Sequence, residues 1–263
     1  MIPLMASGAV GVHVTQSPTS RVVKLADGAW RLEIPPNARG GYRLAQLDDH
    51  GGLRRSDFHW KPPLKMSLQA RVSAPDIPGT WGFGLWNDPF SFLIAYGGVV
   101  PRLPALPEAA WFFHASPHNY LSLRDDLPGS GFLAATFNSK KVPFLLLAVA
   151  APLMAFSFLP GAAQSVRKGL RRLVHQDAAL VDTSITEWHL YGMEWTSTKV
   201  RFSLDGMSIL ETGISPSSPL SLVIWVDNQF AALPPKGRLR YGTLPNLEPA
   251  WMELRELSID ENP

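Results

Sequence analysis

The stretch Glu187–Gly206, EWHLYGMEWTSTKVRFSLDG, alternates in the way that two paired β-strands require. Tyr191 and Trp195 share one face of its first half, and Val200 and Phe202 share one face of its second half. A period of two, rich in aromatic and β-branched residues, is typical of half-buried strands, and the polar TST between the halves suits a turn. The stretch therefore predicts a β-hairpin with one buried face.

Similar alternation recurs along the chain, in short segments bounded by Gly, Pro and Asp. It predicts strands at Arg21–Ala26, Ala29–Pro35, Tyr42–Leu47, Leu64–Ala74, 79–86, Ala109–Ser116, Tyr120–Leu123, Phe132–Phe137, Leu220–Asn228 and Ala250–Ile259. The first two form a hairpin across Asp27–Gly28. Residues 1–20 are expected to be irregular. This arrangement predicts an all-β protein.

Composition supports a large β domain. Of 263 residues, 46% are hydrophobic and 17% charged, which is enough for a sizeable core. The 21 glycines and 24 prolines favour many turns and short strands over long helices. The length allows one large domain or two ordinary ones. We predict a single domain over residues 1–263.

Charge and cysteine content narrow the function classes. The formal net charge of +2 is too small to indicate a nucleic-acid partner. The absence of cysteine excludes disulfides, thiol catalysis and thiolate metal sites, and it fits a reducing compartment. The first residues, MIPLMASGAVGVHV, lack the basic and long apolar regions of a signal peptide. We therefore expect a cytoplasmic protein without a cofactor or a metal ion.

One segment departs from the strand pattern. Val142–Gln164 carries no charge, and Ser165–Gln176, SVRKGLRRLVHQ, is strongly basic. Helical spacing puts apolar residues on one face, at Val166, Leu170, Leu173 and Val174. It puts cations on the other, at Arg167, Lys168, Arg171 and Arg172. These patterns predict a helical hairpin inserted into the sandwich at about residues 142–180.

The insert has three interpretations. A membrane span is rejected, because Pro143, Pro152 and Pro160 interrupt the uncharged stretch and both flanks return to one sheet. Residues 142–178 could instead contact an anionic membrane surface, form a homo-oligomer contact or cover a ligand as a lid. We favour burial against protein, as lid or oligomer contact.

Two segments resemble the family 16 glycoside hydrolases and their relatives in the concanavalin A-like lectin/glucanase superfamily. The late hairpin matches at Tyr191, Glu194, Trp195, Thr196, Val200, Phe202, Leu204, Asp205 and Gly206. An earlier pair of strands matches at Gln69–Val72 and then at Trp81, Phe83 and Trp86. The likeness covers roughly residues 20–140 and 185–260. It implies a concanavalin A-like jelly-roll β-sandwich.

The catalytic strand of that family has no counterpart here. The family alternates carboxylates along one strand, with a nucleophile and a general acid about 5–5.5 Å apart. The strand expected at that place, Ala109–Ser116, reads AAWFFHAS and follows Glu108. Aromatic residues and a histidine stand where carboxylates would be. The resemblance therefore implies the fold without the mechanism.

The candidate ligand-binding residues are Trp81, Trp86, Trp111, Trp225 and Asp227. Trp225 and Asp227 share one face of a strand that lines the concave sheet in the resembled family. They can form a stacking platform with a polar anchor, or they can be a core tryptophan and a turn-forming aspartate.

The candidate catalytic residues are Glu108, His114, Asp125 and Asp227. His114 and His118 precede Asp125 and Asp126, which would suit an acid/base pair or a metal site, although the spacing matches no zinc pattern. The alternative is two loop histidines and a solvated acidic turn.

Three functions follow as hypotheses. The first is a protein that binds a small molecule or a glycan on the Trp-lined concave sheet, or that catalyses an unconventional reaction there. The second is a glycoside hydrolase whose acidic residues have been relocated. The third is a membrane-peripheral or oligomerising scaffold that acts through the insert.

Overall fold

A computed structural model describes residues 2–3, 11–89, 102, 105–142 and 160–261. Within these ranges the chain forms two large antiparallel sheets that pack face to face. The predicted all-β jelly-roll sandwich is therefore confirmed.

The strands are numbered in chain order. The eight-stranded sheet has the order β1 (Ile2–Pro3), β2 (Gly11–Gln16), β5 (Leu44–Asp48), β14 (Ser221–Asp227), β7 (Thr80–Trp86), β8 (Ala109–Ala115), β9 (Gly131–Ser139) and β10 (Val174–Leu180). The seven-stranded sheet has the order β13 (Met207–Thr212), β12 (Val200–Leu204), β11 (His189–Trp195), β6 (Leu64–Val72), β17 (Ala250–Asp260), β4 (Trp30–Ile34) and β3 (Arg21–Lys24). A small sheet pairs β15 (Gln229–Ala232) with β16 (Arg240–Thr243). Helix α1 spans Pro160–Leu173, and a 3₁₀ turn spans Arg55–Asp57.

The hairpin predicted from Glu187–Gly206 is confirmed as β11 and β12. Their register pairs Tyr191 with Leu204 and Trp195 with Val200. Strand β6 also follows its predicted alternation, since every second side chain from Leu64 to Val72 is buried. Alternation predicts these strands well because one face of each packs between the sheets.

The buried apolar residues form two clusters. The main core lies between the two sheets and contains Phe83, Phe112 and Phe202. A second cluster includes Trp111 and Trp225, which alternate with main-core residues on β8 and β14. Since successive strand residues point to opposite faces, this cluster lies on the side of the eight-stranded sheet that points away from the main core. We call that side the outer face.

Three predictions of secondary structure are wrong. Residues 11–16, expected to be irregular, form β2 and pair with β5. Tyr120–Leu123, expected to be a strand, is a loop that touches the small sheet through a single bridge from Tyr120 to Ala232. Residues 174–180, assigned to the helical hairpin, form strand β10. Strand β10 pairs with β9 along its whole length, and the ladder outweighs the local helical pattern.

Helix α1 also differs from its predicted orientation. Arg167 was predicted to lie on the cationic face with Lys168, Arg171 and Arg172, but it is only 3% exposed and lies one turn from the fully buried Ala163. Its guanidinium reaches buried carbonyl oxygens, described below, which offsets the loss of hydration. Residues 143–159 of the predicted insert lie outside the described residues. Within the described ranges, no helix has the length and hydropathy to span a membrane.

Candidate ligand-binding face

The sheet register brings four aromatic side chains together on the outer face. Trp225 of β14 lies opposite Gly82 of β7, which lies opposite Phe113 of β8. One row further along, Gly84 lies opposite Trp111. Trp86, at the end of β7, points to the same side. We call Trp86, Trp111, Phe113 and Trp225 the outer aromatic cluster.

Glycine at the two central positions lets the rings lie directly over β7. A Cβ added to Gly82 would stand 2.8 Å from Cη2 of Trp225. A Cβ added to Gly84 would stand 2.5 Å from Cβ of Trp111 and 2.5 Å from the carbonyl oxygen of Ala110. Such separations are below any van der Waals contact, so larger residues would push the rings or the strands apart.

The rings form a contiguous surface. The ring centroids of Trp111 and Trp225 are 5.4 Å apart, and the planes of Trp86 and Trp225 are within 9° of parallel at 6.4 Å. Phe113 stacks on Trp111 at 5.5 Å. Trp111, Phe113 and Trp225 are 7–8% exposed, whereas Trp86 is half-buried. Trp86 is thus the most exposed of the four rings.

Two indole donors in the cluster are unused. Trp225 donates from Nε1 to Oγ1 of Thr80 at 2.9 Å. Nε1 of Trp86 and Nε1 of Trp111 are buried and have no hydrogen-bond partner among the residues that the structure describes. Buried indole nitrogens usually find an acceptor. Both nitrogens lie below the surface, so a ligand that supplies their acceptors must displace the atoms that cover them.

Asp227 lies at one end of the cluster. It is on the same side of β14 as Trp225, and its Oδ1 accepts hydrogen bonds from Oγ1 of Thr80 at 2.8 Å and from the backbone nitrogen of Gln229 at 3.2 Å. Burial raises the pKa of Asp227 to about 7. The carboxyl can therefore hold or release a proton near neutral pH.

A buried polar network lies at the opposite end. His50 Nδ1 is 3.1 Å from Ser221 Oγ and 3.6 Å from Asp48 Oδ1, and Arg102 Nη1 is 2.5 Å from Asp88 Oδ2. Burial lowers the pKa of His50, although Asp48 and Asp88 oppose the shift. Sequence patterns did not identify this network. Its one available signal was a histidine directly after two aspartates at a strand end.

Two predicted site residues belong to the main core instead. Trp81 is 1% exposed and is part of the core between the sheets. It stacks on His114, with ring centroids 5.3 Å apart and planes within 12°. Burial lowers the pKa of His114 to about 4, so the imidazole is neutral at physiological pH. The prediction that Trp81 lines the ligand face is corrected, because register directs it inward.

The remaining acidic candidates make structural contacts. Glu108 is 4% exposed and accepts hydrogen bonds from the backbone nitrogens and hydroxyls of Ser217 and Ser218. Asp125 pairs with Arg167 at 2.6 Å and with Arg171 at 2.8 Å, and the hydrogen bond from Arg167 is the main cause of its lowered pKa.

The predicted histidine–aspartate grouping does not form. His118 contacts Phe230 rather than His114, and Asp126 pairs with Arg124. No set of three or more metal-ligating side chains comes together in the described ranges.

Comparisons with known proteins give structural similarity only at low sequence identity. No protein-family model matches the chain, and no curated protein matches it. Among solved structures, it is similar to the LamAcat protein of Zobellia galactanivorans, with 11% identity over 92% of this chain and 88% of that one and a TM-score of 0.47. It is similar to an endo-acting O-glycanase of the human gut microbiota, with 12% identity over 97% and 94% and a TM-score of 0.47. The alginate lyase AlyC3 bound to dimannuronate gives 10% identity, 89% and 74% coverage and a TM-score of 0.42.

Proposed function

We propose that this chain is a carbohydrate-binding protein whose ligand lies on the outer face against Trp86, Trp111 and Trp225. The observation that carries the proposal is the outer aromatic cluster with two unused indole donors, at Trp86 and Trp111. A sugar ring presents an apolar C–H face edged by hydroxyl oxygens. An aromatic surface with N–H donors complements both parts of such a ring.

Asp227 would be the polar anchor of this site. Its carboxyl lies on the ligand side of β14 and has a pKa raised to about 7 by burial. Near neutral pH the group can donate or accept a hydrogen bond, so it can match a hydroxyl in either orientation. A few placed polar groups within an aromatic lining are typical of sites that bind small ligands with a fixed orientation.

The arrangement favours binding over hydrolysis by two carboxylates. The outward positions of β8 hold Ala109, Trp111, Phe113 and Ala115. Asp48 and Asp227 do share the outer face, on paired strands, but Asp227 lies opposite Leu44 and Asp48 lies four residues beyond it. At about 3.4 Å per residue the two are roughly 14 Å apart along the strand, beyond the ~5–9.5 Å that glycosidase pairs use.

The test is a titration of short neutral oligosaccharides, followed by calorimetry and by tryptophan fluorescence. Trp111→Phe keeps the apolar ring and removes the indole donor, so we expect affinity to fall about fivefold, as for one hydrogen bond. Trp86→Ala should weaken binding further, because it removes a whole stacking ring. Trp251→Phe is the matched control on the seven-stranded sheet and should leave affinity unchanged.

Two results would reject the proposal. One is the absence of saturable binding by any neutral or acidic oligosaccharide. The other is release of reducing sugar that Asp227→Asn abolishes, which would favour a hydrolase with relocated acids.

A further inference from the structure

A cavity of about 610 Å³ lies between helix α1 and the turn that joins β15 to β16. Its charged lining residues are Arg167, Lys168, Arg171, Arg172, Lys236 and Asp125. We call this cavity the basic pocket. Its volume is within the range of ~300–1,000 Å³ typical of small-ligand sites, but it is an open depression rather than an enclosed cleft. Five cations and one carboxylate leave four net positive charges around it.

Most of this charge is not neutralised within the protein. Asp125 is shared by Arg167 and Arg171. Lys168, Arg172 and Lys236 are exposed, and none of them lies within 4.0 Å of a carboxylate oxygen in the part of the chain that the structure describes. A sphere of the pocket's volume is roughly 10 Å across, about one Debye length (~8 Å) at physiological salt, so repulsion between these cations is partly screened but not abolished. An anion between them would relieve the repulsion.

The pocket has a fixed frame. Arg167 is 3% exposed, and its Nη1 donates to the carbonyl oxygens of Ser122 and Leu233 while Nη2 donates to Asp125. One buried guanidinium thus joins α1, the loop of residues 120–125 and the segment leading to Lys236. The exposed cations lie on two walls of the pocket, Lys168 and Arg172 on α1 and Lys236 at least 64 residues later in the chain. The positive charge of an ordinary solvated helix would need no such second wall.

The same loop joins the pocket to the outer aromatic cluster. Oγ of Ser122 accepts a hydrogen bond from Nε2 of Gln176 at 2.7 Å, and Gln176 lies opposite Phe137 at the edge of the eight-stranded sheet. The ring of Phe137 lies edge-on to Trp111 with centroids 6.1 Å apart, and Leu121 packs against the wider apolar group of the outer face that includes Trp111. The pocket and the aromatic surface are therefore adjacent parts of one side of the molecule.

We infer that the basic pocket binds the carboxylate or sulfate group of an acidic oligosaccharide, part of which lies on the outer aromatic cluster. The anion site stands on the pocket alone, whereas the sugar rests on the function proposed above. Arginine and lysine bind such groups through charge-assisted hydrogen bonds, which are the strongest that a wet pocket offers.

An anionic lipid headgroup would bring the same charge, but the surroundings favour a soluble ligand. A helix that binds membranes exposes an apolar face beside its cations. Within the described ranges, none of the large exposed apolar side chains lies on α1, and Val166 and Leu170 are half-buried.

The experiment compares a short gluco-oligosaccharide with the same compound after sulfation, by calorimetry at low and high salt. We expect the native protein to bind the sulfated form at least about tenfold more tightly, an advantage that salt reduces. The triple variant Lys168→Gln, Arg172→Gln, Lys236→Gln should lose that advantage and keep its affinity for the neutral form. The control variant Arg21→Gln, Lys24→Gln, Lys61→Gln removes three exposed cations elsewhere and should behave as the native protein does.

Each outcome separates the inference from the function it extends. Equal affinity for both forms in the native protein would overturn the anion site and leave carbohydrate binding intact. An advantage that survives in the triple variant would also overturn it. Binding of the sulfated form that Trp86→Ala leaves unchanged would contradict a ligand shared with the aromatic cluster. Sedimentation with anionic vesicles, lost in the triple variant and without any preference for the sulfated sugar, would assign the pocket to lipid.

Discussion

The outer aromatic cluster is made by neighbouring strands, whereas the basic pocket is made by segments that lie far apart in the chain. Trp225, Trp111 and Phe113 meet because antiparallel register sets β14, β7 and β8 side by side. Arg167 and Lys236 meet through irregular segments and buried carbonyl contacts. Alternation in the sequence can therefore predict a surface formed by neighbouring strands. It cannot predict a pocket formed between a helix and a distant turn.

Substitutions in the two regions should change the stability of the protein by different amounts. The largest loss of stability is expected at Arg167. Arg167→Leu removes hydrogen bonds to Ser122, Leu233 and Asp125, and leaves two carbonyl groups without their donor. We expect the free energy of unfolding to fall by about 3 kcal/mol, measured by urea denaturation.

Arg171→Gln is the matched control. Arg171 also pairs with Asp125, but it is exposed, so its loss should cost about 0.5 kcal/mol. If both substitutions cost the same, Arg167 would not be the residue that fixes the pocket.

The sequence predicted the features that neighbouring strands carry, but not those that depend on contacts between distant segments. The strands whose alternation is complete, such as β6, β11 and β12, were located to within a few residues, and so was the β3–β4 hairpin. The ligand-binding candidates named from the sequence included Trp86, Trp111 and Trp225, which the structure brings to one face, and Trp81, which it does not. These predictions depend on a local period of two and on which face is buried.

The remaining features needed contacts that a local pattern does not contain. Trp81 and Trp86 both lie on β7, and only their odd spacing separates a core residue from a ligand-face residue. Helical spacing alone groups Arg167 with the other cations of α1. Its buried position depends on the carbonyl oxygen of Leu233, 66 residues away, which the local pattern does not contain. Strand β10 has a helical pattern at its start, yet pairing with β9 decides its conformation.

A second difference between the regions lies in the sign of their pH dependence. Burial holds the pKa of Asp227 at about 7, whereas the unfolded chain loses that proton near ~3.9. Between these values the folded state binds more protons, so the stability that wild type owes to this group falls as pH rises. Asp227→Asn keeps the oxygen that accepts from Thr80 and cannot ionise. Relative to wild type it should gain about 2 kcal/mol between pH ~5 and ~6.5, at ~1.4 kcal/mol per pH unit.

Asp125→Asn should show the opposite trend. Hydrogen bonding to Arg167 lowers the pKa of Asp125, so its contribution is present above the unfolded pKa and is lost as pH falls through the folded one. The variant should be less stable than wild type at neutral pH and approach it in acid. For each variant the measured quantity is its free energy of unfolding minus that of wild type at the same pH. This subtraction removes the contributions of Asp49 and the buried histidines, whose pKa values are also shifted. Parallel curves for the two variants would contradict the assigned environments.

The smallest expected effect uses one change, glycine to alanine, in both regions. At Gly84 the new methyl group would lie 2.5 Å from the carbonyl oxygen of Ala110 and from Cα of Trp111, which are backbone atoms that cannot rotate away. We expect Gly84→Ala to lower the free energy of unfolding by about 1–2 kcal/mol and to weaken oligosaccharide binding, because β7 and β8 must separate beneath the rings.

At Gly169 an added Cβ meets no atom within 4 Å, and the residue lies in the exposed interior of α1. Alanine loses less conformational entropy than glycine on forming a helix, so Gly169→Ala should raise the free energy of unfolding by about 0.5–1 kcal/mol. Thermal and urea denaturation should show that Gly84→Ala is destabilising and Gly169→Ala stabilising. The affinity of both variants for the sulfated oligosaccharide is measured separately. Since Gly169→Ala adds nothing to the pocket and stiffens the wall that carries Lys168 and Arg172, affinity for the sulfated form should be retained. A loss of that affinity in a stabilised protein would mean that α1 must change shape to bind the anion, and that the basic pocket is less fixed than the aromatic cluster.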